Sequence, residues 1–205
     1  RSAHLSPPGW RSGLSDPSAR AIRAFGAVFP PYAGLTLAMW LALLVLGEPG
    51  LVALTRAMGT LSTSAISPVD GPAVGPGGLA GEVVILLFLV PALSRRFWPG
   101  GDELRLTDSP WRDPELRLAA AVVLPVAVVL FLRHFLGAIG VSPEGAQAPG
   151  WIGSGIAAAW GGVFNGLSYL TTTGWNSVEW EAARNWSGIS SPGLMLAGLA
   201  MFGGG

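Results

Sequence analysis

Two short hydroxyl-rich stretches, each at the end of an apolar segment, constrain this chain more than any other feature. The first is residues 61–67, LSTSAIS, and the second is residues 170–176, LTTTGWN; they align without a gap at an offset of 109 residues. Irregular backbone at membrane depth is tolerated only where it is buried in protein or lines a watery cavity. In an apolar chain, this pair of stretches favours two re-entrant loops that present oxygen atoms to a cation.

The composition is typical of a membrane protein. Half of the 205 residues are hydrophobic and only 12% are charged, whereas soluble domains have about 25% charged residues. The formal net charge of zero argues against a nucleic-acid partner, which would require a basic surface. The absence of cysteine excludes disulfides, cysteine-ligated metals and thiol catalysis. We therefore expect a multi-pass protein whose apolar segments contact membrane lipid.

The apolar segments follow the same order in the two halves of the chain. A span is followed by a half-length segment, a hydroxyl-rich stretch and a further span. Pro30 and Pro31 fall inside the first span and predict a kink or a late helix start. In chain order the segments are residues 21–46, 51–61, 79–93, 118–140 and the glycine-rich 151–170.

This order predicts an all-α polytopic membrane protein built from tandem repeats of membrane helix, pore helix, filter loop and membrane helix. The repeats would be residues 21–93 and 118–205, with a cytoplasmic loop at residues 1–20 and a cytoplasmic linker at residues 94–117. A signal-peptide core is missing near the start, and the last residues directly follow an apolar run. We expect the chain to be part of a longer protein, with the second of these repeats truncated.

The arginines orient the spans, because cytoplasmic loops carry an excess of basic residues. Nine arginines lie before the first span or between the second and third, and only two lie on the opposite side. This distribution places the N-terminus and residues 94–117 in the cytoplasm, and both hydroxyl-rich stretches are then reached from outside. The nine are Arg1, Arg11, Arg20, Arg23, Arg95, Arg96, Arg105, Arg112 and Arg117.

Hydroxyl-rich loops at half-depth suit a monovalent cation for a physical reason. A helix that ends inside the membrane leaves its last carbonyls without partners, and these carbonyls and the negative end of the helix dipole favour a cation. Neutral oxygens can replace a hydration shell without binding the ion too tightly. Gly174 permits a backbone angle that directs carbonyls inward. The alternative is that these Ser and Thr residues satisfy their own helices or pack small residues between helices.

At these residues the chain resembles the TrkH/KtrB/HKT superfamily of potassium transporters, and most of all its TrkH type. The sequence TTTGW at residues 171–175 is similar to the family's third filter, and TLSTSAIS at residues 60–67 is similar to its second. DPELR at residues 113–117 resembles the motif that the family places before its next membrane helix. AMFGGG at residues 200–205 resembles a glycine-rich break in the helix after the third filter.

The resemblance implies potassium uptake across a bacterial cytoplasmic membrane, without covalent chemistry and without a cofactor, potassium being the substrate. It implies a homodimer controlled by a cytoplasmic nucleotide-binding subunit, and a gate at Gly203, Gly204 and Gly205. The family's filter glycine falls on Ala65, a departure that bears on cation selectivity because Ala disfavours positive φ. The implied filter residues are Ser62, Thr63, Ser64, Ala65, Thr171, Thr172, Thr173 and Gly174.

Other readings of the sequence point to different classes of protein. The same small and hydroxyl residues would also serve a non-transporting membrane scaffold or assembly subunit. An enzyme would require polar groups converging from several spans, which isolated residues such as Glu82 and His134 do not supply, so we predict no enzymatic activity. For Glu82, a site at the outer membrane interface is favoured over a cation relay inside the membrane.

Overall fold

The described part of the computed structural model consists of helices and the turns that connect them. It covers residues 17–64, 66–69, 75–99, 109–139, 151–178, 180 and 198–201, and no strand occurs among these residues. Two single-turn 3₁₀ helices, Arg95–Phe97 and Pro110–Arg112, lie within residues 94–117. The α-helices are α1 (Pro17–Val45), α2 (Gly50–Leu61), α3 (Gly78–Leu93), α4 (Pro114–Ile139) and α5 (Trp151–Leu170). The prediction of an all-helical chain is therefore confirmed for the described residues.

Two of these helices are long and apolar enough to cross a membrane, by length and composition. They are Ala21–Val45 within α1 and Pro114–Arg133 within α4. Only 11% and 17% of the two windows is buried inside the protein, so neither is the core helix of a globular domain. Large apolar side chains such as Leu37 and Leu118 are more than half exposed. This exposure supports a membrane location, because lipid rather than water suits such faces.

Helix α1 begins earlier than predicted and continues through its two prolines. It begins at Pro17, inside the segment predicted to be a cytoplasmic loop, and runs through Pro30 and Pro31 to Val45. A late helix start after these prolines is therefore wrong. Proline removes a main-chain donor, but its fixed φ of about −65° is helical. The helix can therefore continue on both sides of the pair, although two of its hydrogen bonds are missing.

Helices α1, α2 and α3 pack together, α4 packs along α5, and α3 contacts both α4 and α5. The main apolar core forms where α1, α2 and α3 meet, and two residues of the second half complete it: Phe164 of α5 and Trp175 of the second hydroxyl-rich stretch. The core residues from the first half are Met39, Leu43, Ala53, Ala57, Ile85 and Leu89. The two halves therefore share one core.

Helix α5 is longer than the half-length segment expected before a re-entrant loop. Its 20 residues span about 30 Å at 1.5 Å per residue. Its glycines permit close approach by another segment. A Cβ built on Gly161 would lie 2.8 Å from the Cβ and 2.9 Å from the Cα of Trp180. Trp180 therefore packs directly on the main chain of α5, which a side chain at position 161 would prevent.

We expect Gly161→Ala to destabilise the protein by about 1–3 kcal/mol, because the added methyl group meets main-chain atoms that cannot rotate away. The matched control is Gly153→Ala on the same helix, where the new Cβ meets nothing within 4 Å. Helix propensity predicts that this control gains up to about 1 kcal/mol. Unfolding of the purified protein in detergent measures both changes. Equal stability of the two variants would contradict the close contact with Trp180.

Asp113 begins α4 and joins it to the end of α3. Its Oδ1 accepts a hydrogen bond from the main-chain N–H of Glu115 at 2.9 Å, and its Oδ2 accepts one from the hydroxyl of Ser94, the residue that ends α3. Asp followed by Pro114 at the first helical position is a common helix start. The predicted cytoplasmic linker therefore ends at Asp113 rather than at residue 117, because the DPELR motif already forms the first turn of α4.

The pKa of Asp113 lies below its ordinary value of 3.8. Burial acts to raise this pKa, but it is outweighed by the hydrogen bond from Ser94, the main-chain N–H groups of Glu115 and Leu116, and the positive charge of Arg96. Because the folded-state pKa is depressed, the ionised carboxylate stabilises the fold above the unfolded-state pKa. That stability is lost as the pH falls through the folded-state pKa.

We expect Asp113→Ala to lower the free energy of unfolding at neutral pH by about 0.5–2 kcal/mol, the usual cost of removing a helix cap. Asp113→Asn is the matched control, because asparagine also caps helices but does not titrate. The free energy of unfolding of both variants should fall less than that of the wild type as the pH drops below about 4. Unfolding in detergent between pH 3 and 7 measures this, and an unchanged pH profile in both variants would exclude the proposed role.

Candidate functional site

The two hydroxyl-rich stretches follow helix ends with the same hydrogen-bond pattern. At the end of α2, the N–H of Thr63 donates to the carbonyl of Thr60, and that of Ser64 donates to the carbonyl of Gly59. At the end of α5, the N–H of Thr172 donates to Tyr169 and that of Thr173 to Ser168. Each pair is a Schellman motif, the common way in which a helix satisfies its last carbonyls. The offset of 109 residues found in the sequence thus recurs bond by bond.

Threonine occupies the one position in this motif that glycine usually takes. Thr63 has φ +50° and Thr172 has φ +60°, in the left-handed region that costs a side-chain-bearing residue about 1–2 kcal/mol. The end of α1 has the same motif with Gly47 at φ +92° in that position. The chain therefore uses glycine where the turn has only to end a helix, and threonine where the turn opens a hydroxyl-rich stretch.

A direct hydrogen bond joins the two stretches at these strained threonines. The Thr172 hydroxyl donates to the main-chain oxygen of Thr63 at 3.1 Å. A hydroxyl at this position therefore has a structural role that glycine cannot fill. Within each stretch the hydroxyls also pair: Ser62 with Ser64 at 3.1 Å, and Thr171 with Thr173 at 2.9 Å.

Trp175 forms a second bridge between the two halves. It is 5% exposed, and its Nε1–H donates to the hydroxyl of Thr60 on α2 at 3.1 Å. Its own main-chain N–H donates to the hydroxyl of the buried Ser168 at 2.5 Å. The aromatic residue that follows Gly174 thus anchors the second stretch both to its own helix and to the core of the first half.

The second stretch carries main-chain oxygens that accept no hydrogen bond from any described residue, namely those of Thr171, Thr172 and Thr173. Gly174 has φ +72°, the positive angle expected for it from the sequence. Of the predicted filter residues, Thr171 and Thr173 are buried, Thr63, Ser64, Thr172 and Gly174 are half-buried, and Ser62 is exposed. Ala65 and the predicted gate residues Gly203, Gly204 and Gly205 lie outside the described residues.

A cavity of about 690 Å³ opens on one side of the two stretches. Thr63, Thr171 and Thr172 line it at one end, together with the last turn of α3 at Ala92 and Leu93. One face of α4 forms a further wall, through Glu115, Leu118, Ala119 and Val122, which lie at positions i, i+3, i+4 and i+7 of the helix. Both hydroxyl-rich stretches therefore border a common space that also contains a carboxyl group.

Glu82 lies near the opposite end of α3 and is fully buried. Its Oε2 accepts hydrogen bonds from the indole N–H of Trp160 at 2.6 Å and from the hydroxyl of Ser177 at 2.7 Å. Its Oε1 accepts one from the main-chain N–H of Val178 at 2.6 Å. Glu82, expected at the outer membrane interface, is buried within the protein, because α3 already begins at Gly78 and donors distant in sequence surround the carboxylate.

A second buried carboxylate serves the first half. Glu48 forms a salt bridge with Arg56 of α2 at 2.7 Å, and the same Oε1 accepts a hydrogen bond from the main-chain N–H of Gly75 at 2.8 Å. Gly75 lies in the segment that follows the first hydroxyl-rich stretch, just as Ser177 follows the second. Glu48 therefore holds the chain that follows the first stretch, and Glu82 holds the chain that follows the second.

Sequence reasoning missed the residues that support the second stretch from α5. The Oδ1 of the fully buried Asn165 accepts a hydrogen bond from the main-chain N–H of Ser177 at 2.8 Å, and Ser168 holds Trp175 as described above. The available signal was their spacing, because polar residues at i and i+3 share one face of a helix. The partners themselves lie in a later segment and could not be identified from that spacing.

No protein-family model, curated protein or solved structure matches the chain. Its chemistry must therefore be judged from its own residues. The described residues contain no group of three or more His, Cys, Asp or Glu placed to hold a metal ion. The oxygens that the two stretches themselves present are neutral hydroxyls and carbonyls.

We expect the bridge between Trp175 and Thr60 to stabilise the folded chain. Trp175→Phe retains an aromatic ring but removes the indole donor. It should lower the free energy of unfolding by about 0.5–1.5 kcal/mol or more, because the site is buried. Adding Thr60→Val should produce a double variant less destabilised than the sum of the single ones, with a coupling of about 1 kcal/mol.

Trp111→Phe is the control for this prediction, because Trp111 is 72% exposed and its substitution should change stability by less than about 0.5 kcal/mol. Chemical unfolding in detergent measures all four variants. Strict additivity of Trp175→Phe and Thr60→Val would show that the hydrogen bond contributes nothing.

Proposed function

We propose that this chain is part of a membrane protein that takes up potassium ions through a filter lined by its two hydroxyl-rich stretches. The observation that carries the proposal is the pair of matching helix ends, which are in direct contact through the Thr172 hydroxyl and the Thr63 carbonyl. Two independent helix ends have no reason to share a strained threonine turn and to meet at it. Two quarters of one ion site would have such a reason, because they must present their oxygens to the same ion.

The proposed mechanism exchanges water for protein oxygens. The carbonyls of Thr171, Thr172 and Thr173, which accept no hydrogen bond from a described residue, would replace part of the hydration shell of the ion as it passes. Neutral oxygens bind a monovalent cation weakly enough to release it again. The membrane potential would drive the ion inward with about 2.3 kcal/mol per 100 mV. The cavity bordered by Thr63, Thr172 and Glu115 would receive the ion below the filter.

The wider organisation that we propose rests on the resemblance to TrkH-type transporters. Residues 21–93 and 118–205 would be two of four channel-like repeats in a multi-pass protein of the bacterial cytoplasmic membrane. The protein would form a homodimer with one pore in each subunit and would be controlled by a cytoplasmic nucleotide-binding subunit. Gly203, Gly204 and Gly205 would form the gate.

The test is uptake of rubidium and sodium by the full-length protein in cells that lack their own potassium uptake. We expect the wild type to take up rubidium in preference to sodium. Gly174→Ser should reduce rubidium uptake or its preference over sodium by about tenfold or more, because a side chain at φ +72° costs about 1–2 kcal/mol and redirects the adjoining carbonyls.

Gly153→Ser is the matched control, because its side chain would meet nothing within 4 Å and the position is far along α5 from the second stretch. It should transport like the wild type. If well-expressed wild type with its regulatory partner supplied shows no uptake above background, the transport proposal fails. The close packing at Gly161 and Trp175 would then be best explained by the alternative, a non-transporting membrane scaffold.

A further inference from the structure

The buried carboxylate of Glu82 has a role that the proposed filter does not by itself require. It is fully buried in α3 and reaches a segment 95 and 96 residues later in the chain, at Ser177 and Val178. Burial of a charged group is costly unless it is compensated by hydrogen bonds. A carboxylate at this position, with three partners from two other segments, is therefore a specific anchor rather than a tolerated surface residue.

The described contacts of Glu82 are hydrogen bonds that its carboxyl oxygens accept. The donors are the indole N–H of Trp160, the hydroxyl of Ser177 and the main-chain N–H of Val178. Two carboxyl oxygens have enough lone pairs to accept from all three at once. No lysine or arginine among the described residues forms a salt bridge with Glu82, in contrast to Glu48 and its partner Arg56. Glu82 thus holds its segment by these hydrogen bonds.

The anchored segment leaves the second hydroxyl-rich stretch directly. Ser177 lies three residues after Gly174, and its main-chain N–H is held by Asn165 of α5 at 2.8 Å. The cavity lies towards the other end of α3, at Ala92 and Leu93, about 15 Å along the helix from Glu82. Residues 171–174 therefore lie between the cavity on one side and the Glu82 anchor on the other.

We propose that Glu82 is a positioning residue that fixes the oxygens of residues 171–174 through the hydrogen bonds that its two carboxyl oxygens accept, and that it thereby determines cation selectivity. The inference rests on the proposed transport function. Glutamine at position 82 has the same shape but one acceptor and one donor group. It would place its NH₂ group against either the indole N–H of Trp160 or the main-chain N–H of Val178, which can only donate, and one of these two hydrogen bonds would be lost.

Two measurements on the full-length protein test this proposal. In Glu82→Gln, amide hydrogen exchange across residues 174–178 should be faster by about tenfold or more, since a hydrogen bond to the carboxyl group is lost. The rubidium-to-sodium uptake ratio should fall by a similar factor. A residue with a merely structural role would lower the amount of folded protein without changing the ratio per molecule.

Ser177→Ala is the milder second variant, which decides the question if Glu82→Gln does not fold. It removes one donor from Glu82 and should change exchange and selectivity in the same direction by a smaller factor. Ser109→Ala at an exposed cytoplasmic position is the matched control and should change neither.

The outcomes separate this inference from the proposed function. If the wild type transports and both variants retain its exchange rates and its uptake ratio, Glu82 is not a positioning residue. If the variants exchange faster but keep the wild-type ratio, Glu82 anchors the segment without determining selectivity, and the proposal is overturned in that part. If the wild type takes up no rubidium, the transport function fails irrespective of Glu82.

Discussion

Two helices of this protein end where their last carbonyls must find partners within the chain, and the structure depends on how that requirement is met. After α2 and after α5, the chain folds back, and the N–H groups of the turn donate to the carbonyls of the second-last and third-last residues of the helix. The turn needs a positive φ, which both helices place on a threonine. The cost of this strained φ is offset because the Thr172 hydroxyl of one turn donates to the main-chain oxygen of Thr63 in the other.

That contact makes the two halves of the chain into a single unit. The bridge from Trp175 to Thr60 and the shared core at Phe164 also join the two halves. Glu82 connects α3 to the segment that follows the second stretch. Each link replaces water with a protein partner in an apolar environment, where an unsatisfied polar group is costly. The main-chain oxygens of residues 171–173 accept no hydrogen bond from a described residue, and the proposed filter uses these groups.

Several elements were predictable because they depend on local rules. The apolar segments, their order and the helical ends at Gly47 and Leu61 follow from hydropathy and from glycine, and Gly174 has the positive φ that its position suggested. The role of the α5 glycines was not predictable from local rules: glycine by itself weakens a helix, whereas at Gly161 the missing side chain admits Trp180. Asp113 was identified within a motif, and it caps α4 locally through Glu115, but its link to the end of α3 depends on Ser94, 19 residues earlier.

The sequence by itself determined an all-helical chain with apolar, membrane-compatible segments and two equivalent hydroxyl-rich stretches, because hydropathy, helix propensity and internal repetition are properties of neighbouring residues. Only the tertiary structure decided that these stretches meet at Thr63 and Thr172, that Trp175 enters the core of the other half, and that Glu82 lies inside rather than at a surface. Each of these depends on donors and acceptors about 80 to 115 residues apart, and a carboxylate is stable in an apolar interior only where folding brings such donors to it.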